Sequence, residues 1–549
     1  LPLGVYVGGQ VTSFLFYPLV SIPSRLGRDA RSRFAGIHGL FTYFNVISLV
    51  VVMFPYVIVG LLLWHPEGKT AGAWLLGLLA TRFLASGSAP KAPSDATGVL
   101  ARLRGLATPM KHALLSALAT LLVVGGVILL CVWILQLAPS ANPWKMPLAV
   151  GLTAIALFVL LGVALDFNKI SLHYFYRDRL AETYLQTFAP AANGSRVEES
   201  KRDDSEMPLT ELLGRRRDAP GHTCVTSAPY HLLMTALNLT ASHDMTRRDR
   251  KSDYFVFSRL YCGSESTGYI RTDRYRSGET KLARAMTISG AAASSAIGAQ
   301  TFLAQSFALT LLGVRLGQWM ENPRFRDGRR ANRNEGGVFW PFYLLREMIG
   351  STDASRRLIN LSDGGHTGDN VGICPLLKRR CAVIIACDAE ADPRSAFGSL
   401  TEALRQTYID ENIRVDINLD RLRPDPVTLR SASHWAIGII HYPEIRVGVA
   451  VTQPADTGYL LVLKSSFVGG TDDSEPVKNY RQEHPEFPHE TTADQFFDDD
   501  QFESYRELGE HVALRALSDV SDLGWRPELR DTWTSVWETQ ARAARAVAG

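Results

Sequence analysis

Residues 358–388 read LINLSDGGHTGDNVGICPLLKRRCAVIIACD, and the expected architecture depends on how this run is parsed. Residues 358–361 form a short apolar run that predicts a strand. It ends in Ser362-Asp363-Gly364-Gly365, a turn signature. A helix is expected at about 371–379, and a second strand at 381–387 ends at Asp388. Strand, turn, helix and strand at this spacing constitute a βαβ unit, which predicts a mainly parallel sheet with its working loops at the carboxyl ends of the strands. Asp363 falls at one such end.

The neighbouring sequence parses in the same way. Residues 256–261 read as a strand, and 284–288 as a β-prone run. Ser289-Gly290 follows, then the small-residue string AAASSAIGA, which suits a closely packed helix. Later strands are expected at 432–442 and 446–463, and closing helices after an acidic stretch that begins at Asp494. The class expected is α/β.

Composition sets the outer limits. The chain has 549 residues, 46% of them hydrophobic and only 6 of them Cys, with a mean hydropathy of zero. Disordered, collagen-like and disulfide-scaffold classes are excluded. A net charge of +3 from 58 basic and 55 acidic residues gives no reason to expect a nucleic-acid partner. The cysteines show no C-x-x-C spacing, so neither a zinc site nor a disulfide framework is indicated. Cys381 and Cys387 read as inert thiols of a buried strand.

The zero mean hides an apolar first part. Residues 40–64, 72–84, 113–137 and 146–165 read as membrane spans, each judged against the ~20 apolar residues that a helix needs to cross a bilayer. Arg25, Arg28, Arg31 and Arg33 precede the first span, and Lys91, Arg102, Arg104 and Lys111 lie between the second and third. The positive-inside rule then places the remainder in the cytoplasm. The organisation expected is a transmembrane region over 1–165, an amphipathic helix and polar linker over 166–220, and an α/β domain over 221–549. The helix, DFNKISLHYFYRDRLAETYL, could lie on headgroups or pack on the next domain.

Asp363 is the most informative candidate. A carboxylate at a strand tip followed by two glycines is open to close approach and could take the proton of a serine directly. The same residues also suit an Asp-Gly turn before a helix. Ser289 is the candidate nucleophile, because strand–Ser–Gly–helix would be a nucleophile elbow with Gly290 in its turn. Thr287 and Ala291 replace the outer glycines of that motif, and a serine capping a buried helix fits as well. His484 and His489, in EHPEFPHE, read as part of a solvated loop rather than as metal ligands, and no metal or cofactor is expected. Asp498–Asp500 reads as an exposed acidic face. The acceptor-like sites at Asn193, Asn238 and Asn360 carry no weight in a cytoplasmic domain. Asp388 and Glu390 read as supporting or surface carboxylates.

Taken with the strings PYHLLMTALNL, SRLYCGSESTGY, AMTISGAAASS, LSDGGHTGDNVG, VIIACDAEADP and HPEFPHETTADQFFDDDQFESYRELGEH, the chain resembles a bacterial, membrane-anchored branch of the patatin-like phospholipases, related to cytosolic phospholipase A. The strings cover most of 166–511. The resemblance implies a patatin-like three-layer domain and a Ser–Asp dyad in which Asp363, with Gly364 and Gly365 shaping the turn, supplies the carboxylate. It also implies a lipid ester as substrate, with the bilayer as partner and the bacterial inner membrane as location. The family's G-x-S-G-G nucleophile segment precedes its membrane insertion, so the serine is expected upstream of Leu1, with Ser289 as the alternative. A scaffold or pseudoenzyme that keeps the fold without turnover is the other class.

Overall fold

The computed structural model describes residues 171–522, apart from 190–199, 213–214, 220–221, 226–229, 243, 312–314, 326–338, 448–449, 471–472 and 492–496, together with isolated positions from 152 to 168. The chain divides into two compact units between Thr367 and Gly368.

In the first unit, helix α1 (His173–Tyr184) precedes strands β1 (Leu232–Asn238), β2 (Ser252–Ser258), β3 (Tyr261–Ser264) and β4 (Gly268–Arg271). Helices α2 (Leu282–Ser289) and α3 (Leu303–Leu311), strand β5 (Gln318–Glu321), helix α4 (Trp340–Met348) and strand β6 (Leu358–Ser362) follow. The strands form one sheet in the order β4-β3-β2-β1-β6-β5. Every neighbouring pair in it is antiparallel.

Strand alternation gives this sheet two different faces. Leu233, Leu237, Phe255, Phe257, Ile359 and Leu361 share one face and pack on Leu282, Ala285 and Ile288 of α2. Phe255 and Phe257, two apart on β2, have ring centroids 4.9 Å apart. Burial of each such side chain contributes about 1.5–3 kcal/mol. The other face carries Asn238, Asn360 and Ser362, all buried.

The second unit contains α5 (Cys374–Lys378), β7 (Val383–Asp388), α6 (Gly398–Glu411), β8 (Arg414–Ile417), β9 (Trp435–Tyr442), β10 (Asp456–Lys464), α7 (Glu475–Glu483) and α8 (Asp499–Asp522). Its sheet runs β7-β10-β9-β8. Only β7 with β10 is parallel, and the other two pairs are antiparallel. Trp435, Ile437, Leu461 and Leu463 pack on Leu508, Val512 and Ala516 of α8.

The mainly parallel, patatin-like three-layer sheet expected from 358–388 is therefore corrected. β6 and β7 are not partners. Both edges of β6 are occupied by antiparallel neighbours, β1 and β5, while β7 finds its parallel partner in β10. A short run such as LINLS, buried at all five positions, resembles a parallel strand because both of its faces are covered. Coverage of the faces does not specify the direction of the neighbours.

Three local expectations also change. Residues 284–288 belong to α2, whose buried Leu282, Ala285 and Ile288 recur at helical spacing. The AAASSAIGA run is irregular, ending in a short 3₁₀ turn at Gly298–Gln300. β7 buries alternate residues only, so Cys387 is exposed and Cys381 half-buried.

The multi-pass membrane reading is corrected as well: among the described residues no helix is long and apolar enough to cross a membrane. The longest, α8, has 24 residues but carries charge throughout, and α6, at 14 residues, is too short for a ~30 Å hydrocarbon core. The stretches read as spans lie outside the described residues, apart from isolated positions in the last. Helix α1 buries His173, Arg177, Asp178 and Ala181, a largely polar stripe that packs within its unit.

Candidate active site

Asp363 directly follows β6, and the chain turns there into a 3₁₀ helix at Gly364–Thr367. Its Oδ1 accepts the Gly365 N–H at 2.7 Å, and its carbonyl accepts the His366 N–H at 3.1 Å. Burial pushes the carboxyl above the usual aspartate range, with the Gly365 bond pulling the other way. A carboxylate whose proton affinity is raised by burial is a stronger base than a solvated one. Gly364 has to be a glycine because a Cβ there would lie 2.8 Å from the Met234 carbonyl oxygen of β1.

Ser289 is the last residue of α2. Its hydroxyl donates to that same Met234 carbonyl at 2.7 Å. Gly290 follows, and a Cβ on it would come within 2.8 Å of the Tyr176 hydroxyl of α1. The Tyr176 phenol is pushed up by burial and then by the negative charge of Asp363. The segments Asp363-Gly364 and Ser289-Gly290 therefore meet over the Met234 carbonyl of β1, with Tyr176 beside them. The arrangement is not an elbow. Ser289 sits at a helix C-terminus, whose partial charge is negative, and its one proton is already given to a backbone carbonyl.

A buried polar chain lies beside Asp363. Asn238 Nδ2 donates to Asn360 Oδ1 at 2.9 Å and to Ser362 Oγ at 2.8 Å. Ser362 Oγ lies 2.8 Å from His366 Nδ1, and Asn238 Oδ1 accepts the Gly298 N–H at 3.3 Å. Burial lowers His366 to about 4, against the opposing effect of its bond to the Ala292 carbonyl. His366 is thus neutral near pH 7, with Ser362 Oγ as the hydrogen-bond neighbour of its Nδ1. Asn238 and Asn360 are 0% and 2% exposed and serve this network instead of carrying sugar.

Tyr176, His366 and Ser362 were not singled out from sequence, although Tyr176 and the other two lie in quoted strings. Asp388 is a structural residue of the second unit, where it forms a buried pair with Lys464 at 2.8 Å. Glu483, His484, Pro485 and Glu486 are exposed, although His484 stacks on Tyr480 with centroids 4.1 Å apart, whereas Phe487 and Pro488 are buried, so only the second half of EHPEFPHE is packed.

No family model matches the chain, and no curated protein matches it. Among solved structures, human GIVD cytosolic phospholipase A2 is similar at a TM-score of 0.35 and 13% identity, over 71% of this chain and 52% of that one. The chain thus spans about half the length of that structure.

Proposed function

We propose that the first unit carries the carboxylate of a serine-type lipid acyl hydrolase, with Asp363 as the general base. The observation behind this reading is the setting of Asp363 at the end of a central strand: a shielded carboxylate with raised proton affinity, held by a backbone N–H and flanked by a glycine packed against β1. The Asp363 carboxylate takes the proton of a serine hydroxyl as the serine oxygen attacks the ester carbonyl. The same carboxyl returns that proton to the departing alcohol. Water then attacks the acyl-serine, giving a proton to Asp363, which passes it to the serine oxygen as the fatty acid leaves. Tyr176 is placed to interact with this charge.

Because the Ser289 proton is committed to Met234 at a helix C-terminus, the nucleophile in this proposal is a serine other than Ser289. The test is fluorophosphonate labelling and lipid-ester turnover by the unmodified chain, Asp363→Asn and Ser289→Ala. Removal of a general base is expected to lower turnover by about 10²–10⁴-fold. Full turnover in Asp363→Asn would sink the proposal. A labelled peptide containing Ser289 would overturn the assignment of the nucleophile alone. Absence of both label and turnover in the unmodified chain would favour either the scaffold class or a nucleophile supplied from outside these 549 residues.

A further inference from the structure

The second unit holds a cluster of chemistry-bearing side chains that acyl transfer does not use. His434 immediately precedes β9, Asp473 precedes Ser474, the N-cap of α7, and His511 lies within α8. One donor atom from each converges, all three lying within 4.8 Å of one another. His434 Nε2 and Asp473 Oδ1 are 3.5 Å apart, and the two imidazoles meet edge to face with centroids 5.5 Å apart. His434 is 2% and Asp473 3% exposed.

The surroundings orient these groups toward a common point. Asp473 Oδ2 accepts the N–H groups of Val468 at 3.0 Å and Gly469 at 2.6 Å, which leaves Oδ1 facing the histidines. His434 Nδ1 lies 3.2 Å from Ser466 Oγ, which turns Nε2 inward. Outer contacts of this kind set the orientation of metal-binding side chains. Asp473 Oδ1 and His511 Nε2 are buried atoms without a hydrogen-bond partner, a costly condition for a carboxylate oxygen and an imidazole nitrogen. A His434–Asp473 ion pair would account for two of the three residues and leave His511 without a role. A cation at the centre accounts for all three.

We infer that His434 Nε2, Asp473 Oδ1 and His511 Nε2 bind a divalent transition-metal ion, with zinc the best match to two imidazoles and one carboxylate. A tetrahedral zinc with bonds of ~2.0–2.1 Å holds its donor atoms ~3.3–3.5 Å apart. The His434–Asp473 separation already matches this, and a small rotation of the His511 side chain closes the remainder. Water takes the fourth position. The ion ties the start of β9, the loop after β10 and helix α8 together beside Trp435, Leu508 and Val512 of the core. Its role is to fasten α8 to the sheet.

The test uses the full chain, stripped with chelator and refilled with zinc or cobalt(II). Elemental analysis is expected to find one ion per chain, cobalt is expected to show the visible bands of a tetrahedral site, and chelation is expected to lower the unfolding temperature. Loss of even an outer contact typically weakens metal affinity about 10–100-fold, so His511→Gln and Asp473→Asn are each expected to weaken it at least about 100-fold. Their unfolding temperatures should no longer respond to chelator. Failure of the refilled chain to retain a stoichiometric ion, or equal uptake by the unmodified chain and the doubly substituted one, overturns the inference. Metal content and the cobalt spectrum of the unmodified chain decide the matter even if a variant does not fold.

Discussion

Replacing His366 by Gln should remove a specific part of this protein's sensitivity to acid. The imidazole lies beside Ser362 in the Asn238–Ser362–His366 chain, and burial holds its folded value at about 4 against 6.5 for a free histidine. A group lowered on folding contributes stability that is fully present above 6.5 and is lost as pH falls toward about 4, because the unfolded chain takes up the proton first. Each pH unit of that gap is worth about 1.4 kcal/mol, so the loss approaches about 3.5 kcal/mol. Urea unfolding of the full chain at a series of pH values between these limits, with His366→Gln alongside, measures it. His173, lowered to about 3 by burial, acts in the same direction in both proteins and cancels in the difference. Asp363, raised by burial, acts in the opposite direction in both and also cancels. The variant should start less stable near neutral pH and lose less on acidification. Parallel pH curves for the two proteins would refute the argument.

Other substitutions test other parts of the molecule. Asp363→Asn removes a carboxylate whose raised proton affinity makes its ionised form a cost once pH exceeds its folded value. Thermal melts should therefore show the variant at least as stable as the parent at neutral pH, with any gain vanishing in acid. Gly298 has φ +57°, and a Cβ on it would meet the His366 carbonyl oxygen at 2.1 Å. Gly298→Ala should cost more than about 1 kcal/mol in urea unfolding, since both strain and a backbone clash oppose it. Lys464→Met leaves Asp388 buried without its ammonium partner and should destabilise the second unit by about 3–5 kcal/mol. An unchanged denaturation midpoint would show that Asp388 is solvated.

Local sequence already contained much of what the structure uses. The run at 358–361 is a buried strand, Asp363 stands at its end, and two glycines carry the chain past β1. Positions such as these depend on interactions within a few residues, and side-chain type and spacing are enough to express them. Helix α2 was missed: Leu282, Ala285 and Ile288 recur at helical spacing, but β-branched Thr287 and Ile288 made 284–288 read as a β-prone run.

Partners distant in the chain required the tertiary structure. Whether β6 runs parallel or antiparallel to its neighbours depends on β1 and β5, and the same apolar run serves either sheet. Ser289 resembled an elbow nucleophile until α2 ended on it and turned its proton to Met234. His434, Asp473 and His511 carry no ligand spacing in the sequence, because strand pairing and the docking of α8 bring them together. Covalent order determines which side chains are present and what each can do chemically. Only burial and long-range packing decide which of them meet, and with what proton affinity.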